Sequence, residues 1–339
     1  MPHSIQISRY GGPEVLELVE TSSTTVRHNE VKIRVSAAGV NFADLMMRMG
    51  LYPEAPPRPF TPGYEISGTV VEVGPAVTSF KPGDRVFGAT RFGGYTSETV
   101  VPEDQIWKTP ANLSDIEAAA IPVNFITAWL ALEEMARVRQ GDRVLIPSAA
   151  GGVGVAAIQI AARAGAKVTG LVGSRSKMDL VRSLGAENVL LNEEWESMSD
   201  AQAGRYDIML DAVGGKALKR SFRRTAPVGR VIHYGASGMV RKNTRSIFTT
   251  LKQLAQTPFF HPLQLMKENK GVFGLNVLQV FEPKNRDIAV KSVHQILECF
   301  EKGEFRVVIG KTFPLAEASA AHSYLQSRQA VGKVILTCS

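Results

Sequence analysis

The chain has 339 residues and a net charge of +7, and its content of 44% hydrophobic and 21% charged residues is typical of a globular protein. We expect two domains at this length and a cytoplasmic protein, because the sequence holds neither a signal-like segment nor a run of about 18 apolar residues that could span a membrane. Its two cysteines, Cys299 and Cys338, are too few for a disulfide framework or a four-cysteine zinc site.

The first third of the chain is rich in strand and turn patterns. Alternation of apolar and polar residues predicts strands at 31–35 and 66–74, and a Lys-Pro-Gly-Asp turn leads into another near residue 86. From residue 124 onward, strand-like and helix-like segments alternate, which indicates a parallel sheet with right-handed crossovers. We expect the last strand, at 333–336, to return to the first domain.

These patterns predict an α/β chain in two parts. Residues 1–123 and 277–339 are expected to form a β-rich domain, and residues 124–276 a domain with a doubly wound parallel sheet. Ligands bind such sheets at the carboxyl ends of the strands. We therefore expect the active site in the cleft between the two domains.

A glycine-rich turn at 149–154 lies between a strand-like run at 143–146 and a helix-like run at 155–164. Glycine in such a turn lets backbone N–H groups approach a pyrophosphate closely, and the helix N-terminus adds partial positive charge. Turns use glycine for other reasons as well, so an ordinary loop is the alternative. Its position between a strand and a helix favours a dinucleotide site.

The loop after the second strand of this unit indicates which dinucleotide binds. An NAD site places an acidic residue there to accept from the ribose 2′-hydroxyl. Here the loop reads Ser174, Arg175, Ser176, Lys177, with no acid before Asp179. Hydroxyls and cations suit a 2′-phosphate, so the sequence predicts NADPH; solvated loop charges are the alternative.

A basic stretch follows in the second half of the same region. Between Ala212 and Lys267 there are eleven Lys or Arg residues and no Asp or Glu. A surface of one sign can steer an anionic cofactor or substrate. It can also contact anionic lipid or RNA, or be a solvated surface that aids solubility, and the sequence leaves these readings open.

Several motifs in this order resemble the zinc-free quinone oxidoreductase, or ζ-crystallin-like, branch of the medium-chain dehydrogenase/reductase superfamily. These motifs lie at 39–44, 50–52, 123–128 and 149–154. The sequence at 41–46 is similar to that of the vesicle amine transport protein subfamily. The resemblance implies a Rossmann domain that binds NADPH beside a β-rich GroES-like catalytic domain. It also implies a homodimer formed through the edge strand near 271–278.

Zinc-dependent members of the superfamily carry a Cys and a His at two positions that differ in this chain. Asn41 stands where the Cys would be, and Tyr64 stands where the His would be. An amide and a phenol do not replace a thiolate and an imidazole as zinc ligands, so we expect no metal site. Without a Lewis acid, hydride transfer to an already electrophilic acceptor is favoured over oxidation of simple alcohols.

The resemblance implies three residues near the substrate, Asn41, Asp44 and Tyr52. Asn41 and Tyr52 could donate hydrogen bonds to a carbonyl oxygen that gains charge during reduction. The alternatives are a structural hydrogen bond for Asp44 and an aromatic lid for Tyr52. One departure from the family is Glu193 after Asn192, where relatives often have a Tyr; an acid there would weaken NADPH binding unless it points away.

The cofactor-side residues that the resemblance implies are Thr127, Ala150, Gly151, Gly152, Val153, Gly154, Ser174, Lys177, Gly235, Ser237, Phe273, Leu275, Asn276 and Arg328. Among them, residues 151–154 would line the pyrophosphate, and Ser174, Lys177 and Arg328 would hold the 2′-phosphate. Arg175 is added to this set from its charge alone.

We therefore expect an NADPH-dependent, zinc-independent reductase that transfers hydride to a quinone or an α,β-unsaturated carbonyl. One alternative is a 2-enoyl thioester reductase, whose basic face would hold a coenzyme A phosphate. Another is a non-catalytic, NADPH-bound protein that binds anionic membrane or RNA through the 212–267 face, since fold does not fix function.

Overall fold

The computed structural model describes residues 1–240 and 255–338. Its first part is mainly antiparallel β-structure, as the alternating patterns predict. The strands are β1 (His3–Ile7), β2 (Leu16–Glu20), β3 (Glu30–Val40), β4 (Glu65–Val73), β5 (Arg85–Ala89), β6 (Glu98–Pro102) and β7 (Ile106–Lys108). The helices are α1 (Phe42–Arg48), α2 (Asp115–Ala118) and α3 (Pro122–Trp129), which a π-helical segment, Leu130–Met135, extends.

The middle of the chain alternates strand and helix. Its elements are β8 (Arg143–Ile146), α4 (Gly152–Arg163), β9 (Lys167–Val172), α5 (Met178–Ser183), β10 (Asn188–Leu191), α6 (Asn192–Ser197), α7 (Asp200–Ala203), β11 (Tyr206–Asp211), α8 (Gly215–Arg224), β12 (Thr225–His233), α9 (Pro262–Glu268) and β13 (Gly271–Gly274). The six strands pair in parallel in the order β10-β9-β8-β11-β12-β13 within the described ranges. This confirms the doubly wound sheet, and its order reverses between β8 and β11, where such sheets open a crevice.

The end of the chain returns to the first sheet. Its elements are α10 (Arg286–Glu301), β14 (Ile309–Pro314), α11 (Ala318–Gln326) and β15 (Lys333–Thr337). Strand β15 pairs antiparallel with β3 and parallel with β14, in the sheet order β14-β15-β3-β4-β5-β7, and β6 also pairs with β3. Short 3-10 turns are Pro13–Val15, Glu103–Gln105, Arg175–Lys177, Ser237–Met239, Val277–Phe281, Pro283–Asn285 and Leu315–Glu317.

Separate hydrophobic cores lie under the two sheets. One joins α3 and α4 to the parallel sheet and includes Ile126, Ile158 and Ile232, and the other lies within the antiparallel sheet and includes Ile33. Helix α10 also packs into the first core through residues such as Phe300. The domain boundaries at 123/124 and 276/277 stay a prediction. Helix α10 follows the second predicted boundary, yet it packs into the core of the parallel sheet.

Across residues 1–240 and 255–338, no helix combines the length and the apolar character that crossing a bilayer requires.

Candidate active site

The glycine-rich turn connects β8 to α4 at the point where the strand order reverses. Ser148 adopts a left-handed backbone with φ of +50°, and α4 begins at Gly152. A Cβ atom on Gly154 would lie 2.4 Å from the Ser148 carbonyl oxygen, and one on Gly152 would lie 2.5 Å from the Asn124 side chain. A side chain at Gly154 would need the backbone to shift, and one at Gly152 would need the buried Asn124 to move. The first N–H groups of α4 have no partner within the helix, as an anion site requires.

The loop after β9 meets the end of the chain, as the predicted 2′-phosphate clamp requires. Lys177 donates from Nζ to the carbonyl oxygens of Arg328 (2.8 Å) and Ala330 (2.9 Å). The Ser174 and Ser176 hydroxyls lie 2.9 Å apart. The structure thus brings the loop of Ser174 and Lys177 to Arg328, which is about 150 residues away in sequence.

Charges near this loop are exposed. The Arg175 side chain is 83% exposed and lies 4.0 Å from the carboxylate of Glu194. Glu194 also accepts from the Leu191 N–H (2.9 Å), as the cap of α6. Glu193, the acid that departs from the family pattern, has an exposed side chain.

The nicotinamide-side candidates lie along β12, β13 and α3. Thr127 is buried in α3, and Leu275 is buried after β13, where its N–H donates to the His233 carbonyl (2.9 Å). The Ser237 N–H donates to the Ala212 carbonyl (3.0 Å), and the half-buried Gly235 lies beside the same carbonyl. These positions line the carboxyl edge of the parallel sheet.

The edge of the parallel sheet reaches the proline-rich loop of the first domain. Asn276 donates from Nδ2 to the Glu54 carboxylate (3.2 Å), two residues after Tyr52. Phe273, in β13, is 40% exposed. The loop that carries Tyr52 is therefore tied to the segment after β13, next to the nicotinamide-side candidates.

Asp44 is a buried cap of α1. Its Oδ2 accepts from the Asn41 N–H (2.8 Å) and from the Tyr95 hydroxyl (2.8 Å), which also lies 3.1 Å from Nε2 of His322. Burial raises the pKa of Asp44 to about 7, although the hydrogen bonds from Asn41 and Tyr95 lower it. The carboxyl is fully buried, which supports a structural role over contact with substrate.

Asn41 belongs to a buried polar network. Its Oδ1 accepts from Nζ of Lys333 (2.6 Å), and its Nδ2 donates to the carboxylate of Glu65 (2.8 Å). Lys333 and Glu65 also form an ion pair, with side chains 3% and 0% exposed. The other Glu65 oxygen accepts from the Val123 N–H (2.7 Å), at the start of α3.

Three aromatic rings form one wall near Tyr52. The rings of Tyr52 and Tyr64 are 6.2 Å apart in an edge-on arrangement, and those of Tyr64 and Phe92 are 5.4 Å apart. Burial raises the pKa of both tyrosines, so their hydroxyls stay protonated at neutral pH. Tyr64 is 5% exposed and belongs to the core of the first domain, and the half-buried Tyr52 and Phe92 pack against that core.

Sequence reasoning missed the partners that hold these groups. Glu65 and Lys333 were not singled out as site residues, because each is the first residue of a strand and no local pattern shows that the two meet. It also missed a pair at the carboxyl ends of β11 and β12, where Nδ1 of His233 lies 2.7 Å from Oδ2 of Asp211. The sequence signal that could have indicated this pair is a histidine at the end of a predicted parallel strand.

The basic stretch is more neutralised than its sequence suggests. Arg220 pairs with Glu196 (2.9 Å), Arg223 and Arg224 with Asp200, and Arg230 with Asp142 (3.3 Å). The exposed lysines of this stretch within the described residues are Lys216, Lys219 and Lys267, and Arg223 is exposed as well, although it pairs with Asp200. The remaining four, Arg241, Lys242, Arg245 and Lys252, lie outside the described residues.

Comparisons with known proteins bear on the identity of this site. Residues 27–111 match the alcohol dehydrogenase GroES-like domain, and residues 184–336 match the zinc-binding dehydrogenase family. The quinone oxidoreductase of Sus scrofa is 32% identical over 340 residues, which cover 98% of this chain and 97% of that protein. The chain belongs to the quinone oxidoreductase family. It is therefore an oxidoreductase of the medium-chain dehydrogenase/reductase superfamily, which confirms the resemblance.

Two further comparisons place this quinone oxidoreductase family member among relatives of different names. The synaptic vesicle membrane protein VAT-1 homolog of Danio rerio is 31% identical over 338 residues, 98% of this chain and 69% of that protein. The crystal structure of Escherichia coli quinone oxidoreductase complexed with NADPH has a TM-score of 0.84 and 26% identity, covering 99% of each chain. The GroES-like and Rossmann architecture is thereby confirmed.

Proposed function

We propose that this chain is an NADPH-dependent reductase that transfers hydride, without a metal ion, to a quinone or an α,β-unsaturated carbonyl. The observation that carries the proposal is a set of contacts that joins two groups of residues. On one side, Lys177 bonds to the Arg328 carbonyl and the glycine-rich turn begins α4. On the other side, Asn41 bonds to Glu65 and Lys333, and Lys333 also lies 3.5 Å from Asn124, beside Gly152 of the turn. A relative solved with NADPH has the same fold.

The chain's own residues fit the cofactor. The N–H groups of residues 152–154 would bind the pyrophosphate, with Gly151 beside them, whose N–H donates to the Ser148 carbonyl (2.8 Å); Ser174, Arg175, Lys177 and Arg328 would hold the 2′-phosphate. The nicotinamide half would lie against Thr127, Gly235, Ser237, Phe273, Leu275 and Asn276. When bound, NADPH supplies the hydride.

The substrate side would stabilise charge that develops on the acceptor. Asn41 has two amide hydrogens; one is donated to Glu65, and the other has only a long contact of 3.5 Å to the Gly39 carbonyl. That second hydrogen and the protonated Tyr52 hydroxyl are the donors we assign to the acceptor oxygen. Asp44 holds the Asn41 backbone in place and stays out of contact with substrate.

The residues do not fit zinc, although one matching family is described as zinc-binding. Asn41 and Tyr64 supply an amide and a phenol in place of strong ligands. The Lys333 ammonium lies 2.6 Å from the Asn41 oxygen, where it would repel a divalent cation. No group of three or more His, Cys, Asp or Glu side chains suited to a metal occurs in residues 1–240 and 255–338.

The experiment that tests this function is NADPH oxidation with 9,10-phenanthrenequinone or 1,4-benzoquinone, with and without a chelator. We expect turnover that the chelator leaves unchanged and a clear preference for NADPH over NADH. Turnover with crotonyl-CoA and none with quinones would instead favour a 2-enoyl thioester reductase. Loss of activity on chelation would contradict the metal-free proposal.

A second candidate is binding to anionic lipid or RNA through the basic face. It has support from the three exposed lysines and from relatives named as synaptic vesicle membrane proteins. The ion pairs of the four described arginines argue against a strong contact. Salt-sensitive binding to anionic liposomes or RNA, without any reductase activity, would favour this role.

We further propose a cytoplasmic homodimer. Strand β13 pairs with β12 and with no other strand in the part of the chain that the structure describes, and an exposed sheet edge is a ready site for pairing. A second copy related by a twofold axis would cover residues near 271–278. Sedimentation of the purified chain as a monomer across micromolar concentrations would contradict the dimer.

A further inference from the structure

We propose that Lys333 is a positioning residue: through its buried ion pair with Glu65, it holds the Asn41 amide and the glycine-rich turn in a fixed arrangement. The inference rests on the proposed function for its activity readout only. Its structural readouts, cofactor affinity and thermal stability, do not depend on turnover.

The first step of the argument is the burial of the charges. The side chains of Lys333 and Glu65 are 3% and 0% exposed, and they begin strands β15 and β4. Removing two charges from water costs desolvation energy that their attraction often fails to recover. A pair like this is therefore poorly explained by stability alone, and a role in fixing a unique arrangement accounts for it better.

The second step is the orientation of the Asn41 amide. Its oxygen accepts from the Lys333 ammonium (2.6 Å) and its nitrogen donates to the Glu65 carboxylate (2.8 Å). A rotated amide would set its NH₂ against a cation and its oxygen against an anion. The two charges thus select one of two otherwise similar rotamers, and with it the direction of the second N–H.

The third step is the connection to the cofactor side. Nζ of Lys333 also lies 3.5 Å from Oδ1 of Asn124, whose amide fills the space above Gly152. The residue before Lys333, Gly332, donates its N–H to the carbonyl of Ala150 (2.7 Å). Lys333 therefore joins the substrate-side amide to the turn that would bind the pyrophosphate.

A purely structural role makes a different prediction, and a double variant separates the two. Lys333→Met alone leaves Glu65 buried without its partner, so a loss of stability is expected under either role. Lys333→Met combined with Glu65→Gln removes both charges. It should regain most of the lost Tm, while the Asn41 amide is no longer forced into one rotamer.

The experiment measures three quantities for each variant: Tm of the cofactor-free protein, Kd for NADPH by fluorescence titration, and kcat and KM with 9,10-phenanthrenequinone. For the double variant we expect a Tm near that of the wild type with kcat lowered about 10–100-fold, the scale of a small misplacement. We expect its NADPH affinity to fall about 3–30-fold.

A matched control is Lys32→Met, which breaks the Lys32–Glu72 pair (2.8 Å) in the same sheet, away from the crevice. It should leave Kd and kcat unchanged. A double variant with wild-type Tm, Kd and kcat would overturn the positioning role. If the double variant does not fold, Lys333→Arg decides. Because it keeps the charge that orients the Asn41 amide, Kd and kcat closer to the wild type than those of Lys333→Met support the role, and values no better than those of Lys333→Met overturn it.

The outcome is distinct from that of the proposed function. A wild-type chain that binds NADPH but reduces neither quinone nor enone contradicts the proposed reaction, and the Kd comparison between the double variant and Lys32→Met still decides the role of Lys333. A weakened Kd in the double variant supports the link to the turn, and an unchanged one overturns it.

Discussion

On the cofactor side of the crevice, the cations are exposed or rest on backbone carbonyls, whereas on the substrate side the cation is buried and paired with a carboxylate. The Arg175 side chain is 83% exposed, and that of Lys333 is 3% exposed. Removing an exposed charge costs little folding stability, whereas removing one member of a buried ion pair costs much more. Variants on the two sides should therefore separate binding from stability.

The largest effect is expected from Glu65→Gln, which leaves the Lys333 ammonium buried without its carboxylate. We expect the free energy of unfolding to fall by about 3–5 kcal/mol, the cost of breaking a buried pair. Urea unfolding measures it. Glu72→Gln is the control: the Glu72 side chain is 53% exposed in its pair with Lys32, and the change should cost less than about 1 kcal/mol. Equal losses in both variants would mean that burial does not distinguish the two pairs.

The next effect belongs to the cofactor side. Lys177→Ala should weaken NADPH binding by about 1–3 kcal/mol, the scale of a lost charge-assisted hydrogen bond, because its ammonium would no longer reach the 2′-phosphate. Arg328→Ala should act in the same direction. Titration calorimetry with NADPH and NADH measures both, and NADH affinity should change little. Arg182→Ala, on the exposed Asp179 pair of α5, is the control.

Unchanged NADPH affinity in both Lys177→Ala and Arg328→Ala would contradict the clamp. A large fall in stability in either variant would mean that changes on the cofactor side do not separate binding from stability. Lys177 is bonded to two carbonyls of the C-terminal segment, so a small loss of Tm is expected there.

Protonation of Asp44 gives a smaller effect with a defined sign. Burial raises its folded-state pKa from 3.8 to about 7, so between these values the folded chain binds more protons than the unfolded one. Stability from this group is thus present at low pH and is lost as pH rises toward 7. The contribution of one proton changes by at most about 1.4 kcal/mol per pH unit.

Asp44→Asn tests this directly. The amide cannot ionise, so the variant should lose the downward slope of unfolding free energy between about pH 4 and 7 that Asp44 produces. Urea unfolding of both proteins across this range measures the difference. Parallel pH profiles for the two proteins would show that Asp44 does not titrate in this window.

The cofactor side was more predictable from sequence than the substrate side, for a physical reason. The turn at 149–154, the parallel sheet and the return of the last strand follow from local spacing and periodicity, which one stretch of sequence contains. The Lys177–Arg328 approach came from the family resemblance. Local spacing does not predict that α3 ends at Trp129 and continues as a π-helix.

The substrate-side network depends on contacts that no local pattern carries. Glu65 and Lys333 meet only because β3 lies between β4 and β15 in the sheet, and strand order is a property of the whole fold. The neutralisation of the basic stretch was missed for the same reason. Counting charge over 212–267 cannot detect that Asp142, Glu196 and Asp200, all outside the stretch, neutralise its arginines.

The smallest effect is expected from Arg175→Ala. Its side chain is well solvated and 4.0 Å from Glu194, so salt and water screen its attraction for a 2′-phosphate. We expect NADPH affinity to fall by about 0.5 kcal/mol or less at physiological salt, and the difference to vanish at higher salt. Titration at two salt concentrations, beside Lys177→Ala, measures this. If Arg175→Ala weakened binding as much as Lys177→Ala, exposure would not separate the cations that hold the phosphate from those that only lie nearby.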